Sequence, residues 1–197
     1  TKAFDISEYT DFYSCKNHAL NASKIIRGDE AELSKNWYNL PVAYNGRASS
    51  IVISDSDIRR PTGQIYEQAN GIVKFEPTKK LDFELEMGTV IGGSLPIGKT
   101  LDFEGAENLI FGYVLLNDWS ARDVQAWEYQ PLGPFLSKSF GTSISPWIVS
   151  PEALEPFKTT PPERDFQLLP HFEDDKAFVF DIDPVSYTHL TLPTTDR

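Results

Sequence analysis

Three acidic residues alternate along one hydrophobic segment of the sequence, LDFELEMGTVIGG, which begins at Leu81. Asp82, Glu84 and Glu86 occupy every second position. Successive side chains of a β-strand point to opposite faces, so a strand here would place all three acids on one face. Like charges at that spacing repel one another unless a cation neutralises them. The segment is therefore interpreted either as a solvated edge strand or as part of a divalent metal site.

Two further acids are candidates for the same site. Asp118, in LLNDWSARD, lies at the predicted junction of a buried strand and a helix, and Asp11, in YTDFYS, lies in a loop before the first predicted helix. Carboxylate oxygens suit hard cations such as Ca²⁺, Mg²⁺ or Mn²⁺. Asp118 has a competing interpretation as a cap of the helix that follows it.

Three basic or titratable residues could do chemistry beside such a cation. His18 follows Asp11 by seven residues inside the first predicted helix, where it is either a general base or an exposed helix histidine. Lys138, in a segment rich in Gly, Pro, Ser and Thr, either stabilises an anion or lies on the surface. Arg27 either binds a ligand or complements the dipole at the end of that helix.

The periodicity predicts an α+β fold with a mainly antiparallel sheet. We expect a helix over Ser14 to Ile26, capped by Ser14 and closed by Gly28, and a second helix from Ser120 through Trp127. The segment IRRPTGQIY and residues 156–175 are predicted to be loops. The predicted strands are Ile51–Ser54, the acidic segment as far as Gly92-Gly93, Ile110–Leu116, and one within AFVFDID.

The overall composition excludes several classes of protein. A formal net charge of −11 over 197 residues argues against nucleic-acid binding. No apolar run approaches the ~18–20 residues of a membrane helix. The single cysteine, Cys15, allows no internal disulfide and fits a reducing compartment, so we expect a cytoplasmic protein.

The last thirteen residues, VSYTHLTLPTTDR, have no hydrophobic periodicity. They resemble the conceptual translation of a sequencing adapter, with a disordered tail as the alternative. We therefore expect residues 1–183 to be part of one domain and residues 184–197 to be a non-native tail.

Six segments between about Asp5 and Ser150 form a distinctive series, in this order: TDFYSCKNHA, IIRGDE, NWYNLPVAYNGRASSIV, IRRPTGQ, LDFELEM and NDWSARDVQAWEYQPLGPFLSKSFGTSISPW. Together they resemble the C-terminal catalytic domain of the fumarylacetoacetase (fumarylacetoacetate hydrolase) family. The resemblance implies a mixed β-roll, truncated here, and a homodimer for the complete protein. It also implies hydrolysis of fumarylacetoacetate, a small diketo-dicarboxylate of tyrosine catabolism, to fumarate and acetoacetate.

The resemblance also implies roles for individual residues. His18 matches the general base, and Asp82 matches no assigned role. Ca²⁺ would be bound by Asp11, Glu84, Glu86 and Asp118; the substrate would contact Tyr13, Arg27, Tyr44, Gln125 and Tyr129; and Mg²⁺ would lie at a second site formed by Lys138, Thr142 and Asp118.

Three alternatives stay open at this stage. The chain could be a fragment of a fumarylacetoacetase. The family's histidine works with a glutamate from a later part of the domain that this sequence lacks, so this fragment by itself is expected to be inactive. The chain could instead belong to a relative within the superfamily that acts on acylpyruvates or related β-keto acids. It could also be a non-catalytic cation-binding module that uses the acidic face.

Overall fold

A computed structural model describes residues 2–185 as a mixed α/β protein built mainly from strands. The strands are β1 Thr10–Phe12, β2 Ala43–Asn45, β3 Ile51–Ile53, β4 Thr62–Glu67, β5 Ile72–Pro77, β6 Leu81–Asp82, β7 Leu85–Ile91, β8 Ile110–Asp118, β9 Ser120–Ala121, β10 Thr142–Ile144, β11 Lys158–Thr159 and β12 Val179–Phe180. The helices are α1 Lys16–Arg27, α2 Phe103–Glu107, α3 Arg122–Glu128, α4 Leu136–Ser139 and α5 Pro151–Leu154, with 3₁₀ turns at Lys35–Tyr38, Ala48–Ser50, Glu155–Phe157 and Pro170–Phe172. Nearly all of the predicted non-native tail lies outside the described residues.

The largest sheet has four strands in the order β3-β10-β8-β7. β8 pairs antiparallel with both β7 and β10, whereas β3 and β10 are parallel, so this sheet is mixed. Its buried side chains form the core cluster of Ile51, Val114, Leu116 and Ile144. The sheet therefore holds β8 rigidly, and the polar end of β8 is carried into the interior with it.

The acidic segment forms two strands, so the prediction of one continuous strand is wrong. β6 pairs with β9, and β7 pairs with β8. Between them, the Glu84 backbone N–H donates to the Asn117 side-chain oxygen at 3.2 Å, and the Asp118 N–H donates to the Glu84 carbonyl at 3.0 Å. The Asn117 side chain thus substitutes for a regular ladder hydrogen bond where the segment changes partner.

Both predicted helix caps are wrong, while the predicted helix end is confirmed. α1 begins after Cys15 and has no side-chain cap, and α3 begins after Ala121. The hydroxyl of Ser120 instead donates to the Asp118 carbonyl at 3.2 Å, because Ser120 is part of a strand pair rather than a helix end. Gly28 closes α1 with φ +98°, a backbone conformation that favours glycine.

A hairpin that the sequence did not lead us to expect follows the Arg59-Arg60 pair. β4 and β5 are antiparallel and are joined through Gly71, whose φ is +68°. The predicted loop IRRPTGQIY therefore contains strand residues, and the predicted loop 156–175 contains two 3₁₀ turns and β11. The final predicted strand is reduced to Val179–Phe180.

Within residues 2–185, no helix combines the length and the apolar character needed to cross a membrane.

We predict that Leu116→Ala lowers the free energy of unfolding by about 2–5 kcal/mol, because it removes a buried side chain from the core cluster. Leu116 is 6% exposed, whereas the control Leu95→Ala alters a side chain that is 41% exposed and should change stability by less than about 0.5 kcal/mol. Urea denaturation of both variants measures this difference. Equal losses in the two variants would show that β8 is not anchored by this core.

Candidate active site

Four acidic side chains converge where three parts of the fold meet. Asp11 comes from β1, Glu84 from the junction of β6 and β7, Glu86 from β7 and Asp118 from the end of β8. Each of two groups, Asp11 with Glu86 and Asp118, and His18 with Glu84 and Glu86, has ligand atoms within 4.8 Å of one another. Asp118 is completely buried, so this carboxylate cluster lies inside the protein rather than on a wet face.

Two buried cations lie against the carboxylate cluster. Lys138 Nζ lies 2.7 Å from Glu84 Oε2 and 2.5 Å from Asp118 Oδ2, and the Arg122 guanidinium lies 2.5 Å from Glu84 Oε1. Burial alone would raise the pKa of Glu84, but Lys138 and Arg122 outweigh it and lower the pKa to about 2. Glu84 is therefore held as a carboxylate at all physiological pH values.

Glu86 and Asp118, two other members of the carboxylate cluster, have less positive charge nearby to offset the effect of burial on their pKa values. Burial raises the pKa of Glu86 to about 9, and the charges of Asp11 and Asp118 add to the effect. Burial also raises the pKa of Asp118 to about 8, although Lys138 opposes the shift. In the absence of another cation, these two carboxyl groups tend to keep their protons near neutral pH.

The residues present fit a divalent cation. Asp118 Oδ1 is buried and has no hydrogen-bond partner among the described residues, which is a costly state for a carboxylate oxygen unless a ligand meets it. The Tyr44 hydroxyl donates to Asp11 Oδ2 at 2.7 Å and orients that carboxylate. Several hard oxygen atoms at this spacing are the donor set that Ca²⁺ and Mg²⁺ prefer.

A cavity of about 370 Å³ opens beside the carboxylate cluster. Asp118 and Thr142 do not line it, because they are fully buried behind its wall, opposite each other in the pairing of β8 and β10. The other ten residues proposed from the sequence all line it: Asp11, Tyr13, His18, Arg27, Tyr44, Glu84, Glu86, Gln125, Tyr129 and Lys138.

Helix α1 brings His18 to the wall of this cavity. His18 Nε2 lies 3.5 Å from Glu84 Oε1, and its ring makes a T-shaped contact with the Tyr13 ring, with the ring centroids 5.8 Å apart. Tyr13 is held in turn, since its hydroxyl donates to the Ala19 carbonyl at 2.8 Å. The imidazole is about one third exposed, so it is accessible to water and still fixed by its neighbours.

The wall of the cavity also carries hydrogen-bond donors. Arg27 is exposed toward solvent, and its guanidinium donates to Ser23 Oγ at 2.8 Å and to the Glu32 carbonyl at 3.0 Å. Tyr129 follows directly on α3, which also carries the buried Gln125. A ligand with acidic groups would meet a cation and a phenol on the wall of the cavity.

Lys138 and Thr142 occupy different positions relative to the proposed second ion site. The ammonium group of Lys138 is itself the cation between Glu84 and Asp118, so it does not ligate a metal ion, and only the backbone carbonyl of Lys138 has the right chemistry. Thr142 has a neutral hydroxyl beside Asp118 in the sheet and is chemically suited to Mg²⁺.

Arg122 is a functional candidate that the sequence interpretation missed. It is almost fully buried and contacts Asp82, Glu84 and Gln125. The sequence did contain a sign of this role. An arginine in the first turn of a helix opposes the helix dipole, so its presence there indicates a compensating tertiary contact. The three alternating acids needed a cation, and Arg122 meets two of them.

We predict that the metal-free chain loses stability as the pH rises from about 5 to about 9. A carboxyl group whose pKa is higher in the folded than in the unfolded state stabilises the fold in acid, and this contribution is lost as the pH rises through the folded-state value. Glu86 and Asp118, with pKa values of about 9 and about 8, both act in this direction. Urea denaturation in the presence of a chelator at several pH values measures the slope.

Glu86→Gln should flatten this pH dependence, since it removes one of the two groups responsible. Glu163→Gln, at an exposed position outside the carboxylate cluster, is the control and should leave the slope unchanged. Stability that rises with pH over this range in the unmodified chain would contradict the prediction.

Residues 8–168 match the family described as fumarylacetoacetate (FAA) hydrolase C-terminal. The fumarylacetoacetase of Arabidopsis thaliana is 54% identical over 177 residues, and that of Dictyostelium discoideum is 51% identical over 180 residues; each alignment covers 90% of this chain and 42% of the relative. The chain thus spans less than half the length of these relatives.

Among solved structures, the fumarylacetoacetate hydrolase of Exiguobacterium antarcticum is similar at a TM-score of 0.43 and 24% identity, over 77% of this chain and 45% of that chain. The sequence match alone covers most of residues 2–185 and includes every proposed site residue. The chain belongs to the fumarylacetoacetate hydrolase C-terminal family.

Proposed function

We propose that the protein to which this chain belongs hydrolyses a carbon–carbon bond of fumarylacetoacetate, giving fumarate and acetoacetate. The observation that carries the proposal is the cavity in which His18, the carboxylate cluster and a set of donors meet. The relatives that match over 90% of the chain are fumarylacetoacetases, which supports the choice of substrate.

The cavity wall supplies groups suited to a diketo-dicarboxylate. Arg27 offers a planar donor fork for a substrate carboxylate, and Tyr13 and Tyr129 present phenol rings to the same space. Tyr44 is committed to Asp11, so its role is to orient the carboxylate cluster as well as to line the cavity. Binding at both ends of the substrate would fix the reacting carbonyl near His18.

Ca²⁺ is the cation proposed for the carboxylate cluster, held by Asp11, Glu84, Glu86 and Asp118. Bound there, it would act as a Lewis acid that offsets the negative charge developing on the substrate oxygens. Mg²⁺ is proposed for the second site, with Asp118, Thr142 and the Lys138 carbonyl. Lys138 itself holds the Glu84 and Asp118 carboxyl groups in place and helps to keep Glu84 ionised.

His18 is proposed as the general base. It takes a proton from water, whose oxygen forms a bond to a substrate carbonyl carbon, and the adjacent carbon–carbon bond breaks with its electron pair going to the leaving carbon. The proton held by His18 then returns to that carbon, so one water molecule is consumed and two acids are released. Gln125 faces the same space as a hydrogen-bond donor to a substrate oxygen.

We expect the 197-residue chain alone to turn over little or no substrate. Among residues 2–185, Glu84 is the only carboxylate within ion-pair distance of His18, and it is already held by Lys138 and Arg122. An imidazole base works best when a dedicated partner orients its second nitrogen. Measurable hydrolysis by the purified chain would show that the described residues suffice.

We also propose that the complete protein is a cytoplasmic homodimer. The single cysteine, Cys15, is exposed and unpaired by any disulfide, as is usual in a reducing compartment. Large apolar side chains such as Trp147 and Phe75 are exposed in this chain and are suited to burial in a larger assembly.

Glu86→Gln should weaken Ca²⁺ binding by about tenfold or more, since it removes a charged ligand from the carboxylate cluster. Within residues 2–185, Glu86 makes no ion pair, so the substitution leaves the contacts of Lys138 and Arg122 intact. Calorimetric titration of the chain with Ca²⁺ measures the affinity. Asp165→Asn, which removes only the exposed pair with Lys16, is the matched control, and equal affinities in all three proteins would refute the assigned cluster.

In the natural full-length protein, His18→Ala should lower kcat for fumarylacetoacetate by about 10²–10⁴-fold, the usual contribution of a general base. Ca²⁺ affinity should stay within about threefold, because His18 is not a proposed ligand.

Faster turnover of acylpyruvates by the unmodified protein would assign it to the alternative substrate class. Ca²⁺ binding without hydrolysis of either substrate would favour the non-catalytic module.

A further inference from the structure

We propose that Asp82 is a positioning residue, which orients the Arg122 guanidinium so that Gln125 presents its amide N–H₂ group to the cavity. The sequence and the family resemblance gave Asp82 no role. The effect on catalysis rests on the proposed function, whereas the orientation itself does not.

The backbones that carry Asp82 and Arg122 are fixed relative to each other. Asp82 lies opposite Ser120 in the pairing of β6 and β9, and the Arg122 N–H donates to the Lys80 carbonyl at 2.9 Å. The Asp82 carboxylate is held at both oxygens: Oδ1 accepts from the Phe83 N–H at 2.9 Å, and Oδ2 accepts from Arg122 Nε at 2.9 Å. The carboxylate therefore has little freedom to turn away from the arginine.

Each of the three nitrogens of the guanidinium donates to a different acceptor. Nε donates to Asp82, one terminal nitrogen donates to Gln125 Oε1 at 3.0 Å, and the other donates to Glu84 Oε1 at 2.5 Å. The guanidinium is planar, so fixing its Nε edge determines the directions of both terminal nitrogens. Asp82 acts at the Nε edge and, unlike Arg122 and Gln125, is not a lining residue of the cavity.

The orientation of the Gln125 amide follows from the chemistry of arginine. A guanidinium only donates hydrogen bonds, so the Gln125 atom that faces it must be the oxygen. Within residues 2–185, the amide nitrogen of Gln125 donates to no protein atom, although the side chain is almost fully buried and lines the cavity. Its two N–H groups are therefore directed at the cavity, where a substrate oxygen would accept them.

Within residues 2–185, Asp82 differs from Glu84 in pairing with one cation, Arg122. Glu84 is shared between Lys138, Arg122 and the carboxylate cluster, whereas Asp82 belongs neither to the groups that could hold a metal ion nor to the cavity wall. Removing Asp82 leaves Arg122 attached to Glu84 but free to rotate about that contact. The Gln125 amide then loses the partner that fixes which of its ends faces the cavity.

The first test uses the metal-free 197-residue chain and needs no activity. In ¹⁵N NMR spectra, Asp82→Ala should speed solvent exchange of the Arg122 Nε–H about tenfold or more and shift the Gln125 amide signals. Asp82→Asn, which keeps an oxygen acceptor, should retain both signals. The signals are assigned with Arg122→Lys and Gln125→Glu.

Glu67→Ala is the matched control for this test. Glu67 pairs with Lys74 at 2.9 Å, and its side chain is 36% exposed, compared with 38% for Asp82. It should leave both signals unchanged. Unchanged signals in Asp82→Ala would overturn the proposal, and Asp82→Ser gives the same comparison if the alanine variant does not fold.

The second test uses the natural full-length protein with fumarylacetoacetate. Asp82→Ala should lower kcat about 10- to 100-fold with KM within about threefold, and Asp82→Asn should restore kcat to within about threefold of the unmodified protein. A merely structural role would lower thermal stability and leave kcat of the folded protein unchanged, which would overturn the proposal. If the unmodified protein does not hydrolyse this substrate, the proposed function fails, and the NMR test still decides the role of Asp82.

Discussion

The structure depends on placing four carboxylates within a few ångströms of one another in the protein interior. Burial removes the water that would otherwise screen them, so their mutual repulsion and their cost of desolvation both increase. Lys138 meets Glu84 and Asp118, whereas Arg122 meets Glu84 and Asp82. Asp11 and Glu86 make no ion pair within residues 2–185, and this shortage of positive charge makes the carboxylate cluster suited to a divalent cation.

The fold around the carboxylate cluster shows how this arrangement is held in place. The acidic segment leaves one strand pair and enters another at Glu84, and Asn117 accepts the backbone hydrogen bond that the ladder cannot supply. Tyr44 on β2 lies opposite Asp11 on β1 and holds its carboxylate by a hydrogen bond. Each acid is therefore carried by backbone that is paired elsewhere, and repulsion among the side chains cannot simply push the strands apart.

Sequence alone singled out Glu84 and Glu86 because alternation along an apolar segment is a local signal. It did not identify the break between β6 and β7, since that break depends on β8 and β9, which lie more than 25 residues later in the chain. The expected cap at Ser120 failed for the same reason, because pairing of β9 with the distant β6 decided where that helix begins. The cavity, and the separation of Asp118 and Thr142 from its wall, are tertiary features with no local signature. The ligand and substrate roles of the individual residues stay predictions.

Arg122 illustrates how an unfavourable local choice can mark a functional site. A positive charge in the first turn of a helix opposes the helix dipole, and α3 has no side-chain cap to offset the loss. The residue is nevertheless almost fully buried at that position and is bonded to Asp82, Glu84 and Gln125. A sequence keeps such a residue where the gain from the tertiary contacts exceeds the local loss. An arginine that is unfavourable for its helix therefore points to the carboxylate cluster as directly as the alternating acids do. The acids mark the negative groups of the site, and Arg122 marks a positive group that pairs with them.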